Sequence, residues 1–381
     1  MAISADKKKK LAGVMAGINK KFGGATVNFV SDIQDELAIK YYPTPSHEFN
    51  TMLGGGMARG KIIELYGENS SGKTSMAIET IAHNQKLDPN FTAGWFETEG
   101  SIDPEQLEAF GVDMDRLVYW DQKDVGAEQG FDILRSLVSS GEFDMIICNS
   151  VAGLCPTKEV EDEMDKANIA LTARMLSKLF RVITGAADKH GTSLVFINQI
   201  RQNVGQLFGN PETTTGGKAL QFYASQRIGM RRVKLEKADP ITEDEGLKVR
   251  CRTQKNRYAK GNPYKVCDYI AIYGVGIDSV SELPDILERE GILSKSGSWY
   301  YWKDDNGDNK VFDGQECKWR SRSVLVEELR GNDALRTELE ETIKKLQTSG
   351  KAGISVSAEE IQEIEQSNKE LENLMEATEE I

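Results

Sequence analysis

From residue 61 to residue 198 short apolar runs alternate with longer stretches in which apolar residues recur every three or four positions. The runs at 61–66, 93–98, 116–120, 143–149 and 193–198 predict strands, and the stretches at 126–139 and 169–188 predict helices between them. This alternation specifies parallel strands joined by right-handed crossovers, with a ligand received at their carboxyl ends. After residue 222 the pattern changes to consecutive strand-like runs at 224–235, 247–256 and 264–273, which suit antiparallel additions to the same sheet. Ahead of all this, residues 4–21 read as an amphipathic helix with Leu11, Val14, Met15 and Ile18 on one stripe, followed by Gly23-Gly24 and a strand-like run at 26–30. A helix and one strand cannot bury that stripe by themselves, so the segment must dock, either on this chain's core or on a neighbouring copy's.

The run at 61–66 leads directly into Gly67-Glu68-Asn69-Ser70-Ser71-Gly72-Lys73-Thr74, a complete G-x-x-x-x-G-K-[ST] phosphate loop, and a helix-forming stretch follows it. Glycines let the backbone wrap an anion, the N–H groups point inward, and the next helix turns its positive end to the phosphates. Lys73 then neutralises the terminal phosphates, and Thr74 offers its hydroxyl to Mg²⁺. The expected ligand is a nucleoside triphosphate.

At 381 residues the chain exceeds what one core usually serves, so a large domain with smaller attachments is expected. It has no run of eighteen apolar residues and no signal-like start, which predicts a cytoplasmic protein without a membrane partner. Its five cysteines lie far apart with no C-x-x-C pair and read as plain thiols. The net charge of −13 would disfavour nucleic acid if it were evenly spread. It is not: residues 351–381 hold nine Glu and two Lys, whereas 248–265 carry Lys248, Arg250, Arg252, Lys255, Arg257, Lys260 and Lys265 with no acid. Residues 282–345 mix helix-like pieces with the aromatic run Trp299-Tyr300-Tyr301-Trp302 and read as a small α+β domain, and the Glu-rich end reads as solvated disorder.

Hydrolysis needs a metal partner, a group that orients water, and charge for the transition state. If the 93–98 strand adjoins the first, Glu97 and Glu99 both fall beside the phosphate loop, and Glu99, farther out, is better placed to activate a water. The run 143–150 has the shape of a Walker B strand, but Asn149 stands where an Asp usually holds the metal through water, so Mg²⁺ binding would borrow from Glu99 or Asp144. A Gly/Thr/Asn-rich segment beyond Gln199, flanked by Arg201 and Lys218, is expensive to order without a ligand and suits a polyanion, with Gln199 sensing the γ-phosphate.

Taken together these residues resemble the bacterial RecA recombinase family: the phosphate loop, the Val151–Leu154 turn, the run at 196–201, and above all the segment from Phe208 to Gly217 followed by Phe222-Tyr223-Ala224-Ser225. The resemblance implies an α/β P-loop NTPase core of the RecA type, with a mixed, mostly parallel twisted sheet flanked by helices. It divides the chain into an oligomerisation arm at 1–33, an ATPase core at 34–273, a small α+β DNA-binding domain at 274–347 and an acidic tail at 348–381. Glu99 is similar to the water-activating glutamate, and Gln199 to the link between nucleotide and DNA. Lys255 and Arg257 match a pair of cations that reach a neighbour's nucleotide, with Arg257 where the family usually has lysine. Asp103 matches an adenine contact, and Gln106 stands where an aromatic ring usually stacks.

By the same resemblance 157–168 and 200–218 are DNA-binding loops. Arg174, Arg181 and Arg201 would contact phosphates, together with Phe208, Gly209, Asn210, Thr213, Thr214, Thr215, Gly216 and Gly217, and Phe222 would serve the contact between copies. The implied activity is DNA-dependent ATP hydrolysis with ATP and Mg²⁺, in a helical filament that pairs single-stranded DNA with a homologous duplex, with single-strand-binding or mediator proteins as further partners. The acidic tail would compete with duplex DNA for basic surface. A ring-forming helicase motor and a non-hydrolysing architectural filament are the competing readings, the latter favoured by Asn149.

Overall fold

The computed structural model describes residues 3–24, 27–161, 171–202, 212–236, 240–304 and 306–348. The chain divides into two compact units, Met1–Tyr41 and Tyr42–Ile381. In the first, the helix Ala5–Phe22 is capped by Ser4, whose hydroxyl accepts from the Lys7 N–H, and none of its residues is buried. The strand expected at 26–30 does not form among the described residues: Val30–Asp32 is a 3₁₀ turn instead. A strand needs a partner for its ladder, and the partner available to Val27 is a side chain: the Asn19 amide donates to the Val27 carbonyl and accepts from its N–H at 3.0 and 2.8 Å.

The second unit is built on one large sheet. From one edge its order is Gly276–Ile277, Val266–Ile272, Gly246–Asn256, Gln226–Val233, Ile62–Gly67, Ser193–Gln202, Met145–Asn149, Ala93–Glu97 and Leu117–Asp121, with Glu212–Thr214 paired to Ser193–Gln202. The strands from Ile62–Gly67 to Leu117–Asp121 are all parallel, as the alternating pattern predicts. Two expectations need correction. Gln226–Val233 runs parallel to Ile62–Gly67, because the helix Lys218–Tyr223 returns the chain to the starting end, and only the strands beyond it are antiparallel. Ala93–Glu97 does not adjoin the phosphate-loop strand, since Ser193–Gln202 and Met145–Asn149 lie between them.

Alternation along the strands sends side chains to two cores. On one face Ile63, Leu65, Trp95, Ile147 and Val195 pack with Met76 and Ile81 of the helix Lys73–Leu87. On the other Ile62, Phe96, Ile146, Cys148 and Phe196 pack with Leu134, Leu176 and Phe180 of the helices Gln122–Ser140 and Leu171–His190. Each large side chain so buried contributes about 1.5–3 kcal/mol, which holds the strand ends, and hence the site, in fixed register. All five cysteines are free thiols.

Residues 279–348 close over a third core of Leu283, Leu287, Trp302, Trp319, Leu325 and Leu339. Two buried acids brace its surroundings: one ties it to the helix His47–Leu53, the other ties the phosphate-loop helix to the edge strand just before it. Glu282 accepts from the Ser46 hydroxyl at 2.8 Å and the Glu48 N–H at 2.9 Å, and burial pushes its carboxyl up to about 8. Glu79, on the phosphate-loop helix, accepts from the Ile277 N–H at 2.7 Å and is pushed up to about 7, again by burial.

Candidate nucleotide site and its two ends

The phosphate loop turns through Ser70 at φ 57° and Gly72 at φ 82°, the second of which starts the helix Lys73–Leu87. Gly67 is required by space: a Cβ there would lie 2.0 Å from the Met230 carbonyl oxygen of the neighbouring strand. The first turn of the helix carries no acid, so its N-terminal N–H groups face an anion without competition. Lys73 is buried, and its ammonium folds back over the loop, donating to the carbonyls of Gly67 at 3.2 Å and Glu68 at 2.5 Å and to the Ser71 hydroxyl at 3.2 Å. Burial pulls its pKa down, while Glu99 and Glu68 push it back up. The cradle therefore fits a triphosphate, whose oxygens would replace the carbonyls that Lys73 now uses.

Glu97 and Glu99 separate into different roles. Glu97 is fully buried; one oxygen accepts from three consecutive N–H groups, Thr98 at 3.0, Glu99 at 2.7 and Gly100 at 3.0 Å, and the other accepts from the Trp95 indole at 3.0 Å. It shapes the loop. Glu99 rides on that loop past the end of Met145–Asn149 to the strand Ser193–Gln202, where its Oε1 accepts from the Gln199 amide at 2.9 Å and from the Ser150 hydroxyl. Thr98 zips this loop to the next, donating to the Ser150 carbonyl at 2.7 Å and accepting from the Ser150 N–H at 2.8 Å. Glu99, Gln199 and the phosphate-loop lysine are thus gathered at one end of the sheet. Ser150 was not foreseen; its only signal was its place directly after Asn149.

Asn149 is buried and donates to Glu97 and Ser101, yet its Oδ1 is buried with no hydrogen-bond partner among the described residues. An orphaned acceptor beside a phosphate loop fits a water of a hydrated cation. Asp144 cannot share that task. It precedes the opposite end of the strand Met145–Asn149, where it accepts from the Tyr42 hydroxyl at 2.8 Å and the Thr92 N–H at 3.0 Å. No group of three or more His, Cys, Asp or Glu suited to a metal occurs among the described residues; the Thr74 hydroxyl, the Asn149 carbonyl and the Glu99 carboxylate are protein oxygens at this end of the sheet.

Lys255 and Arg257 lie elsewhere. Asn256 is level with Gln226 and Gln226 with Ile63, whereas the phosphate loop leaves from Gly67, so the two cations stand at the opposite end of the sheet. Lys255 donates to the carbonyls of Gln221 and Phe222, both at 2.9 Å, and Arg257 to that of Phe222 at 3.1 Å, so the pair caps the C-terminus of the helix Lys218–Tyr223. Phe222 is 67% exposed. A cavity of about 530 Å³ opens there, lined by Lys61, Asp188, Phe222, Arg257 and Tyr258 among others.

A profile of the RecA N-terminal domain matches residues 9–278. The chain belongs to the RecA family. It is 39% identical over 346 residues to Protein RecA of Saccharopolyspora erythraea, covering 91% of this chain and 94% of that one. Protein RecA of Pseudarthrobacter chlorophenolicus is 37% identical over 372 residues, 97% of this chain and 98% of its own, and that of Heliobacterium modesticaldum is 38% identical over 347, 90% and 94%. As a RecA-family protein it binds and hydrolyses ATP, binds DNA, assembles with itself and acts in recombination.

The remaining RecA-type positions fall as follows. Arg174 and Arg181 are exposed on one helix and line a shared recess of about 390 Å³ with Ser177 and Tyr223. Arg201 is exposed in register with Thr213, while Thr214 is buried and Gly216 packs against Leu176 and Val151 at φ 84°. Phe208, Gly209 and Asn210 lie outside the described residues, as do 162–168 of the other loop and the tail 351–381. Asp103 caps the helix Pro104–Ala109 through the Glu105 N–H, and Gln106 is exposed on it. No helix among the described residues is long and apolar enough to cross a membrane.

Proposed function

We propose that each ATP is held between two copies of this chain, by the phosphate loop of one and by Lys255 and Arg257 of the next. The observation that carries this reading is the separation of the two groups: they occupy opposite ends of one sheet, so the cations cannot serve their own chain's loop. A head-to-tail contact of that kind, repeated without closing, makes a helical filament. Phe222, exposed beside the cations, would enter the same contact.

Within one site the chain's residues divide the work. Glu99 orients and deprotonates the attacking water, and its bond to Gln199 holds it while Gln199 reports whether a γ-phosphate is present. Lys73 neutralises the β- and γ-phosphates, and Arg257 offers a bidentate fork to the charge that grows on the transferring group. Thr74 and, through water, Asn149 would hold Mg²⁺, which supplies Lewis-acid charge between the phosphates. Asp103 faces the adenine, without an aromatic ring at position 106.

Single-stranded DNA is gripped by Arg174, Arg181, Arg201 and the 208–217 segment through its phosphates, which leaves base edges free to test a homologous duplex. The basic stretch 248–265 and the small domain at 274–347 offer surface to that duplex, and the acidic tail competes for it. Single-strand-binding and mediator proteins are further partners in a cytoplasmic setting. The test is ATP turnover with and without a single-stranded oligonucleotide, paired with electron microscopy of the same mixture. DNA-stimulated turnover in open helices is expected; closed rings, or filaments without turnover, would replace this reading with a motor or a scaffold.

A further inference from the structure

Glu64 sits in the middle of the phosphate-loop strand and is fully buried. A carboxylate there is tolerated only if both oxygens are engaged, and they are engaged in two directions. Oε1 accepts from the Asn198 amide at 2.9 Å, and Oε2 forms a close ion pair with the Arg227 guanidinium.

On the first side, Asn198 is itself buried and uses its amide fully. It donates also to the Thr215 carbonyl and accepts from the Gln199 N–H, both at 2.9 Å. One amide therefore fixes the backbone of the residue that touches Glu99 and the backbone where the Gly/Thr segment re-enters the fold. On the second side, Glu64, Arg227 and Lys255 stand abreast on three adjacent strands. Burial and the cations of Arg257 and Arg227 pull the Lys255 pKa down, and Glu64 pushes it back up. The helix Lys218–Tyr223 starts two residues past Gly216 and ends on the carbonyls that Lys255 and Arg257 cap, so the circuit closes on itself.

We propose that Glu64 is a positioning residue for ATP hydrolysis, which ties the Gly/Thr segment to both halves of the shared site: to Gln199 through Asn198, and to Lys255 through Arg227. An anion that pulls on Thr215 then shifts both halves together, because a buried charge cannot be released on one side without being reset on the other. The inference rests on the reading above, in which Lys255 and Arg257 act on a neighbour's nucleotide.

The test is steady-state turnover of the full chain, with and without single-stranded oligonucleotide, for Glu64→Gln, Arg227→Gln and the double variant. Glu64→Gln, with a melting curve that shows it folded, should lower the DNA-stimulated kcat about tenfold with KM for ATP within about twofold. The double variant should lose little more than Glu64→Gln alone, since the tie through Arg227 is already broken. A Glu64→Gln protein with unchanged kcat, or strictly additive losses, would overturn the proposal. Were Glu64→Gln unable to fold, Arg227→Lys, which keeps the charge but not the aimed Nε–H, gives the same reading: lost kcat at unchanged KM supports it, unchanged kcat overturns it. Absence of DNA stimulation in the unaltered protein would instead refute the functional reading on which it rests.

Discussion

The two ends of the central sheet are built to opposite plans. At the carboxyl end the groups are braced against one another before any nucleotide arrives. Lys73 is buried under its loop, Glu97 gathers three amides, and Thr98 locks two loops together through Ser150. At the other end Lys255 and Arg257 rest on the carbonyls of a short helix, next to an exposed Phe222 and an open cavity. The first end is complete within one chain as a phosphate cradle. The second has two cations beside exposed apolar surface, which suits the contact with another copy that we propose. Preorganisation is thus concentrated at the phosphate loop, and open surface at the end proposed to meet another copy.

The largest effect comes from breaking each end in a different chain. Lys73→Ala and Arg257→Ala should each lower DNA-stimulated turnover about a thousandfold or more. Mixed in one polymer they should regain turnover, because some junctions then combine an intact phosphate loop with an intact arginine. Phosphate release from the mixture measures this, and a mixture no better than its parts would show that the two ends never share a nucleotide.

A smaller effect is expected at the unusual amide of the first end. Asn149→Asp restores a charge beside the cradle and should lower the Mg²⁺ concentration for half-maximal turnover about tenfold, the free-energy equivalent of one charge-assisted hydrogen bond. A magnesium titration that superimposes on the unaltered protein's would remove Asn149 from the metal's surroundings.

The smallest effect concerns the fastening behind the cradle. The Glu79 carboxyl, pushed from its ordinary 4.5 up to about 7 by burial, is neutral in the fold at mildly acid pH. A raised acid pKa means that the stabilisation is fully present below about 4.5 and is lost as pH rises through about 7. Glu79→Gln should therefore raise the melting temperature by about 2–4 °C at pH 8 and change it little at pH 5. Equal shifts at both values would mean that the side chain does not titrate with folding.

Much of this architecture is written in local pattern. The apolar runs before Gly67 and Asn149 place two strand ends, the run at 193–198 finds its strand but not its end at Gln202, and the loop sequence itself dictates the cradle. What periodicity does not encode is adjacency. The sequence singles out Glu99 as the carboxylate farther out, but only the strand order, with two strands between Ala93–Glu97 and the phosphate-loop strand, shows that Glu97 shapes the loop that carries Glu99 toward Gln199. The direction of Gln226–Val233 was hidden in a six-residue helix too short to stand out as a crossover. Glu64 and Asn198 escaped notice for a related reason: a single polar residue inside an apolar run reads as a solvent-facing position until its neighbours are known. The 26–30 run shows the reverse error, since β-branched residues there had no ladder to join among the described residues.

The helix Lys218–Tyr223 is about 9 Å long, comparable to a screening length in ordinary buffer. At under two turns it offers few places to bend, so under the proposed reading a tilt imposed at its start would carry over to Phe222 and to the carbonyls that Lys255 and Arg257 cap at its far tip.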